Sequence, residues 1–191
     1  MIKYEKRAGS ETMQYVGMFF KKFFRFLLKP FSFAPALIVM YMITSFSAQN
    51  GVASSEISGQ VSDGIVAMVN EKLNLGFNEE QVKEFSGKIE YYVRKLAHVT
   101  EYFILAVSVA FPLYVYGLRG IPLVLIAGVF CVGFAGLDEY HQSFVAGRNP
   151  SKRDVLIDSI GVIMGITVTR IIGFVGRKTI FRPLANRKRE Q

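Results

Sequence analysis

Cysteine is nearly absent from this chain: Cys131 is the only one, and it lies inside an apolar run. No internal disulfide can form, no cysteine metal cluster exists, and the expected role of Cys131 is a small helix-packing residue. No Gly-x-Ser-x-Gly motif and no phosphate loop occurs, so neither histidine, His98 or His141, belongs to a known nucleophile motif. Helix-turn-helix, zinc-finger and RNA-binding signatures are also missing, which argues against nucleic acid as the partner of the +8 net charge. No internal repeat or low-complexity stretch is evident. The long apolar stretches lack charge every few residues, as the buried core helices of a soluble domain would require.

What the chain does have is apolar sequence, 51% of its 191 residues, in four runs near the length that crosses hydrocarbon. The spans fall at about 31–48, 93–116, 121–142 and 154–176. Each is interrupted by Gly or Pro, which membrane helices tolerate. The expected fold is therefore an all-α integral membrane protein with four transmembrane helices. Residues 1–30 form a basic leader, 31–176 the membrane domain and 177–191 a basic tail.

Charge orients the spans. Seven basic residues precede the first run and six follow the start of the tail, whereas the segment between runs one and two has seven acids against three lysines. The positive-inside rule then places both termini in the cytoplasm and residues 50–92 and 143–153 outside. Over residues 13–29, Lys21, Lys22, Arg25 and Lys29 share one helical face and Phe19, Phe20, Phe23, Phe24 and Leu27 the other. This reads as an amphipathic helix on anionic inner-leaflet lipid. The long basic stretch ahead of the first run argues against a cleaved signal peptide.

The outer segment reads as helical. Val61, Ile65, Met68, Val69 and Leu73 recur at helical spacing. Asn78 and Gln81 form a capping box for a second helix that runs on into the second span. In the fourth span Gly161 and Gly165 make a small-xxx-small step suited to close helix contact, on the same stripe as Asp154 and Asp158.

Ionisable residues gather at the outer ends of the spans, where burial costs free energy unless they pair or meet water. Arg94, His98 and Glu101 follow i, i+4, i+7 spacing and share a helix face. Asp138, His141 and Gln142 share another, with Glu139 beside it. Asp154 and Asp158 open the fourth span, and Ser47 and Gln49 close the first. Three chemistries fit. His98, Glu101, Asp138, Glu139 and His141 can act as general acids and bases. Two histidines with carboxylates could hold a divalent metal, although His-x-x-Glu and Asp-Glu-x-His are not dedicated zinc signatures, so no cofactor is firmly predicted. As a binding pocket, Arg94, Lys95, Arg148 and Lys152 would grip a phosphate or carboxylate, while Ser47, Gln49, Gln142, Asp154 and Asp158 complete the polar wall. A structural polar lock between helices is the remaining alternative.

Four blocks resemble the VanZ-like membrane proteins. They are Phe46-Ser47-Ala48-Gln49, then Arg94-Lys95-Leu96-Ala97-His98 with Glu101-Tyr102, then Gly136 to Arg148, then Asp154 to Gly165. Order and spacing hold over residues 46–165. Ala48 departs from the usual Ser-Ser-Gln, and the position of Asp158 is often Asn in relatives. The resemblance implies a cell-envelope role and, through the family's founding member, an effect on teicoplanin susceptibility. The expected partner is a membrane lipid or lipid-linked envelope precursor, met by an enzyme or by a non-catalytic shielding or accessory protein.

Overall fold

The computed structural model describes residues 29–179. The amphipathic leader, apart from its last residues, and the tail beyond Thr179 lie outside the described residues. The chain divides into two compact units, 1–35 and 36–191, and the packing that builds the site lies within the second. A short 3-10 turn, Pro30–Phe33, leads into α1 (Ala34–Ser47). Then follow α2 (Gly51–Leu73), α3 (Glu79–Val115), α4 (Gly120–Gln142) and α5 (Lys152–Thr179), with no strand among the described residues. Four helical segments are long and apolar enough to cross a membrane: Pro30–Ser47, Glu79–Val115, Gly120–Gln142 and Lys152–Thr179. The four expected spans are thus present, three with ends moved by at most three residues and the second as the C-terminal part of a helix that starts 14 residues earlier.

The expected capping box starts α3: the Asn78 side chain accepts from the Gln81 N–H at 2.8 Å and the Gln81 side chain from the Asn78 N–H at 3.0 Å. From there α3 runs unbroken for 37 residues. That is about 55 Å of helix, against about 30 Å of hydrocarbon. Its N-terminal half, with Glu79, Glu80, Lys83, Glu84 and Lys88, therefore stands outside the apolar layer and pairs with α2 as a hairpin. At the tip Asn74 takes a left-handed conformation (φ 50°) that ends α2, and the Asn70 side chain holds both backbone groups of Phe77 at 3.1 and 3.0 Å.

The hairpin packs differently from its apolar pattern. Val61, Ile65, Met68, Val69 and Leu73 are all exposed, and the buried residues of α2 are Ser58, Ser62 and Val66. Small hydroxyl side chains let the two helices approach closely, because Ser62 Oγ returns its hydrogen bond to the Ser58 carbonyl of its own helix at 2.7 Å.

Among the spans, α3 lies most extensively against α5. A Cβ on Gly161 would collide with the Val99 carbonyl oxygen, and one on Gly165 would come 2.6 Å from the Phe103 carbonyl oxygen. The small-xxx-small step is therefore where the two backbones meet. Leu123, Ala127, Cys131 and Ala135 form the buried stripe of α4, with Tyr102, Leu105, Ala106 and Val109 of α3 in the same core. Large apolar residues such as Ile121, Val129 and Ile163 point outward, as lipid-facing surface requires.

Candidate functional site

A cavity of about 220 Å³ opens at the junction of α1, the base of the α2–α3 hairpin and the end of α4. Its polar wall is Ser47, Gln49, Ser54, Ser58, Arg94, His98, Glu101, Asp138 and Arg148, and its apolar wall includes Ile43, Phe46, Ile57, Val61 and Val93. The i, i+4, i+7 face of α3 does bring Arg94, His98 and Glu101 to one place. His98 Nδ1 lies 3.8 Å from Glu101 Oε2, close enough to pair when the imidazole is protonated. Asp138, 5% exposed, accepts from Gln142 Nε2 at 3.0 Å through one carboxylate oxygen.

Two arginines frame the cavity, each tied to the scaffold. Arg94 Nη2 donates to Glu90 Oε1 at 2.6 Å, to Ser55 Oγ at 2.7 Å and to Ser58 Oγ at 3.0 Å, clamping α2 to α3. Arg148 donates from Nε to the Gln49 carbonyl at 3.2 Å and from Nη2 to the Phe46 carbonyl at 3.3 Å. Those carbonyls lie in the last turn of α1 and just beyond it, where a cation is favoured by the helix dipole. Burial, and after it the charge of Arg94, holds the Arg148 guanidinium below its ordinary value, while Asp138, Glu139 and Glu101 oppose the shift. It stays charged all the same.

Local sequence explains how the 143–151 loop reaches α1. The Gly51 N–H donates to the Ala146 carbonyl at 3.2 Å, and a Cβ at Gly51 would strike the Gly147 carbonyl oxygen. Gly147 itself has φ +73°, which side chains rarely adopt. The glycine pair sets Arg148, the next residue, over the end of α1.

Three residues that line the cavity each hold one fully buried polar atom without a hydrogen-bond partner in the protein: Ser47 Oγ, Arg94 Nε and Asp138 Oδ1. The Ser47 hydroxyl lies beside the Asp138 carboxylate. One donor, one acceptor and one hydroxyl are thus buried behind the cavity wall, the hydroxyl next to the carboxylate. Unpaired buried polar atoms are costly and uncommon, and their cluster behind this wall sets the region apart from ordinary helix packing.

Other residues expected at the site fall elsewhere. Lys95 Nζ pairs with Asp154 Oδ2 at 2.6 Å and ties α3 to α5. Glu139 accepts from the Ser151 N–H at 2.9 Å, just ahead of α5, placing a carboxylate at that helix's positive end. Asp158 is 2% exposed on α5, within electrostatic reach of Glu139, Asp154 and Asp138, but it is not on the cavity wall. Gln142 reaches the cavity only through Asp138. His141 departs from the expected shared face, being exposed while Asp138 and Gln142 are buried, and Lys152 is exposed too.

Sequence reasoning passed over Glu90, Ser55 and Ser58, the partners of Arg94. Glu90 could have been found as an i, i+4 partner of Arg94. Tyr102 was also passed over as a site residue. It is fully buried, its hydroxyl lacks a partner, and Asp138, Asp158, Glu101 and Glu139 lie within electrostatic reach. Among the described residues no group of three or more His, Cys, Asp and Glu side chains is arranged to hold a metal ion.

No curated protein and no solved structure matches the chain. A family model described as VanZ/LLP1 matches residues 32–173, which take in all five helices except the first residues and the last turns of the described segment. The cavity and the cross-links around it lie within that match, and the chain belongs to the VanZ/LLP1 family.

Proposed function

We propose that the cavity binds the polar head of an anionic, hydroxyl-bearing, lipid-linked molecule of the cell envelope. The observation that carries this is the cavity wall itself, where Ser47, Arg94, His98, Glu101, Asp138 and Arg148 meet beside an apolar lip. An anionic oxygen answers the guanidinium groups of Arg94 and Arg148, and a hydroxyl answers the carboxylates of Asp138 and Glu101. The exposed apolar lip of Phe46, Ile57 and Val61 suits the chain of an amphiphile. The volume, about 220 Å³, is below the roughly 300–1,000 Å³ of pockets for drug-sized ligands. It takes a headgroup and not a glycopeptide antibiotic, so any effect on teicoplanin susceptibility runs through the envelope molecule. With both termini inside, this site faces the extracytoplasmic side of the cell membrane.

In the catalytic form of this reading, one of His98 and Glu101 takes the proton of an attacking water or acceptor hydroxyl as its oxygen bonds to the headgroup, and the other gives a proton to the oxygen that leaves as its bond breaks. The protein contacts of Arg94 and Arg148 favour a second reading, in which the cluster locks the helices. Mass spectrometry of lipid co-purifying with the full chain separates the two. The wild type should retain an anionic lipid that Asp138→Asn and Ser47→Ala lose while keeping their fold. Identical lipid in all three proteins would refute the binding site. Full complementation of a deletion strain, read by antibiotic susceptibility, in both His98→Ala and Glu101→Gln would refute acid–base catalysis.

A further inference from the structure

A second pocket, of about 370 Å³, lies near the α3–α4 turn and the C-terminal half of α5. Arg170 and Arg177 are 12 and 19 residues beyond Asp158 on the same helix. At 1.5 Å per residue they stand about 18 and 28 Å from it along the axis, comparable with the roughly 30 Å hydrocarbon thickness. This pocket therefore belongs to the opposite membrane surface from the polar cavity.

Its chemistry has one sign. Arg119, Arg170 and Arg177 all line it. No acidic residue occurs from 102 to 137 or from 159 to 179, and no described carboxylate pairs with any of the three arginines. The placement of Arg119 is built by packing. Its guanidinium sits over the Tyr114 ring, 5.4 Å from the centroid. That ring fits against Gly173, where a Cβ would come within 2.6 Å of a ring carbon. Gly120, at the start of α4, also lines the pocket, so the positive end of that helix adds to the field. Ile171 and Phe174 border the arginines and are exposed at the same time, joining the pocket to the lipid-facing surface.

We propose that this basic pocket holds the phosphate of an anionic phospholipid, gripped by Arg119, Arg170 and Arg177, with the acyl chains running along Ile171 and Phe174. Three guanidiniums without described carboxylate partners match a phosphate bearing several acceptor oxygens. Basic pockets between membrane helices recognise such headgroups. The apolar border distinguishes a lipid phosphate from a soluble one. This site is separate from the proposed headgroup cavity and shares no residue with it.

Calorimetric titration of the detergent-solubilised full chain with short-chain phosphatidylglycerol tests the assignment, run throughout in an Asp138→Asn background that removes the headgroup cavity as a competing site, with phosphatidylcholine of the same chain length as the neutral control. Saturable binding of the anionic lipid alone is expected. Arg119→Gln, Arg170→Gln and Arg177→Gln should each weaken it about fivefold, and the triple variant on the order of a hundredfold. Lys72→Gln and Lys83→Gln, on the remote hairpin, should leave it unchanged. Should the triple variant fail to keep its helical circular dichroism, the single variants carry the test. Equal binding of both lipids, undiminished binding by the arginine variants, or equal weakening by the lysine variants would overturn the site. Displacement of the lipid by inorganic phosphate at equal concentration would assign the pocket to a soluble anion and refute the lipid.

Discussion

Gly51→Ala probes the joint that brings Arg148 to the cavity. The added Cβ would collide with the Gly147 carbonyl oxygen and lie 2.8 Å from its carbon, inside the 3.4 Å at which ordinary contact begins. Both obstacles are backbone atoms, so relief requires the loop to retreat by at least 0.6 Å, the difference between those distances. Arg148 retreats with it, and its bonds to the Gln49 and Phe46 carbonyls, at 3.2 and 3.3 Å, are already long. Overpacking costs about 1–3 kcal/mol, and the weakened bonds add about 1 kcal/mol. Better helix propensity at the first turn of α2 returns less than about 1 kcal/mol. A net loss of about 1–3 kcal/mol is expected in equilibrium unfolding of the detergent-solubilised protein. Gly59→Ala and Gly64→Ala are the controls on the same helix: their Cβ atoms meet nothing within 4 Å, so they should be neutral or stabilising. Because Gly51→Ala and Arg148→Ala disrupt one contact, the double variant should fall short of additivity by about 1 kcal/mol. Additive effects, or a Gly51→Ala protein as stable as Gly59→Ala, would refute this account of the joint.

Gly161→Ala and Gly165→Ala should each lower stability by about 1–3 kcal/mol by wedging α5 off α3. On α4, Gly133→Ala and Gly136→Ala should cost nothing, since a Cβ there meets no atom within 4 Å, and equal stability of all four in the same unfolding assay would contradict the interface. Tyr102→Phe removes a buried hydroxyl without a partner and should stabilise the protein, by up to about 1–3 kcal/mol; a lower unfolding midpoint would mean the hydroxyl is satisfied. Orientation is open to labelling of single cysteines at Ala146 and Leu184 in a Cys131→Ser background. Impermeant reagent should reach position 146 and not 184, and the reverse pattern would place the cavity on the cytoplasmic side.

Much of this architecture was legible in the sequence. The capping box at Asn78 and Gln81, the continuation of that helix into a span, and the Gly161–Gly165 contact all follow from local rules of spacing and capping. So does the meeting of Arg94, His98 and Glu101, because helical spacing alone puts them on one face. Where legibility ended, rotation and distant partners were involved. His141 and Asp138 are three residues apart, near enough in angle to share a stripe, yet the way α4 is turned buries one and exposes the other. The apolar repeat of α2 marked it as a helix without saying which face meets α3, and close approach favoured Ser58 and Ser62 there. Lys95 and Asp154 both suggested a ligand's partner in isolation. Across the α3–α5 interface each neutralises the other.

Hydropathy and the 3.6-residue repeat act over one or a few turns, so the chain's sequence by itself determined that it is helical, where it crosses hydrocarbon and which residues share a face. Pairing among polar groups depends on the depth and rotation of helices whose contacts join residues about fifty to a hundred positions apart, such as Gly51 with Gly147. Only the tertiary structure decided that Lys95, Asp154 and Glu139 are absorbed into cross-links, while Ser47, Arg94, His98, Glu101, Asp138 and Arg148 are gathered around one cavity.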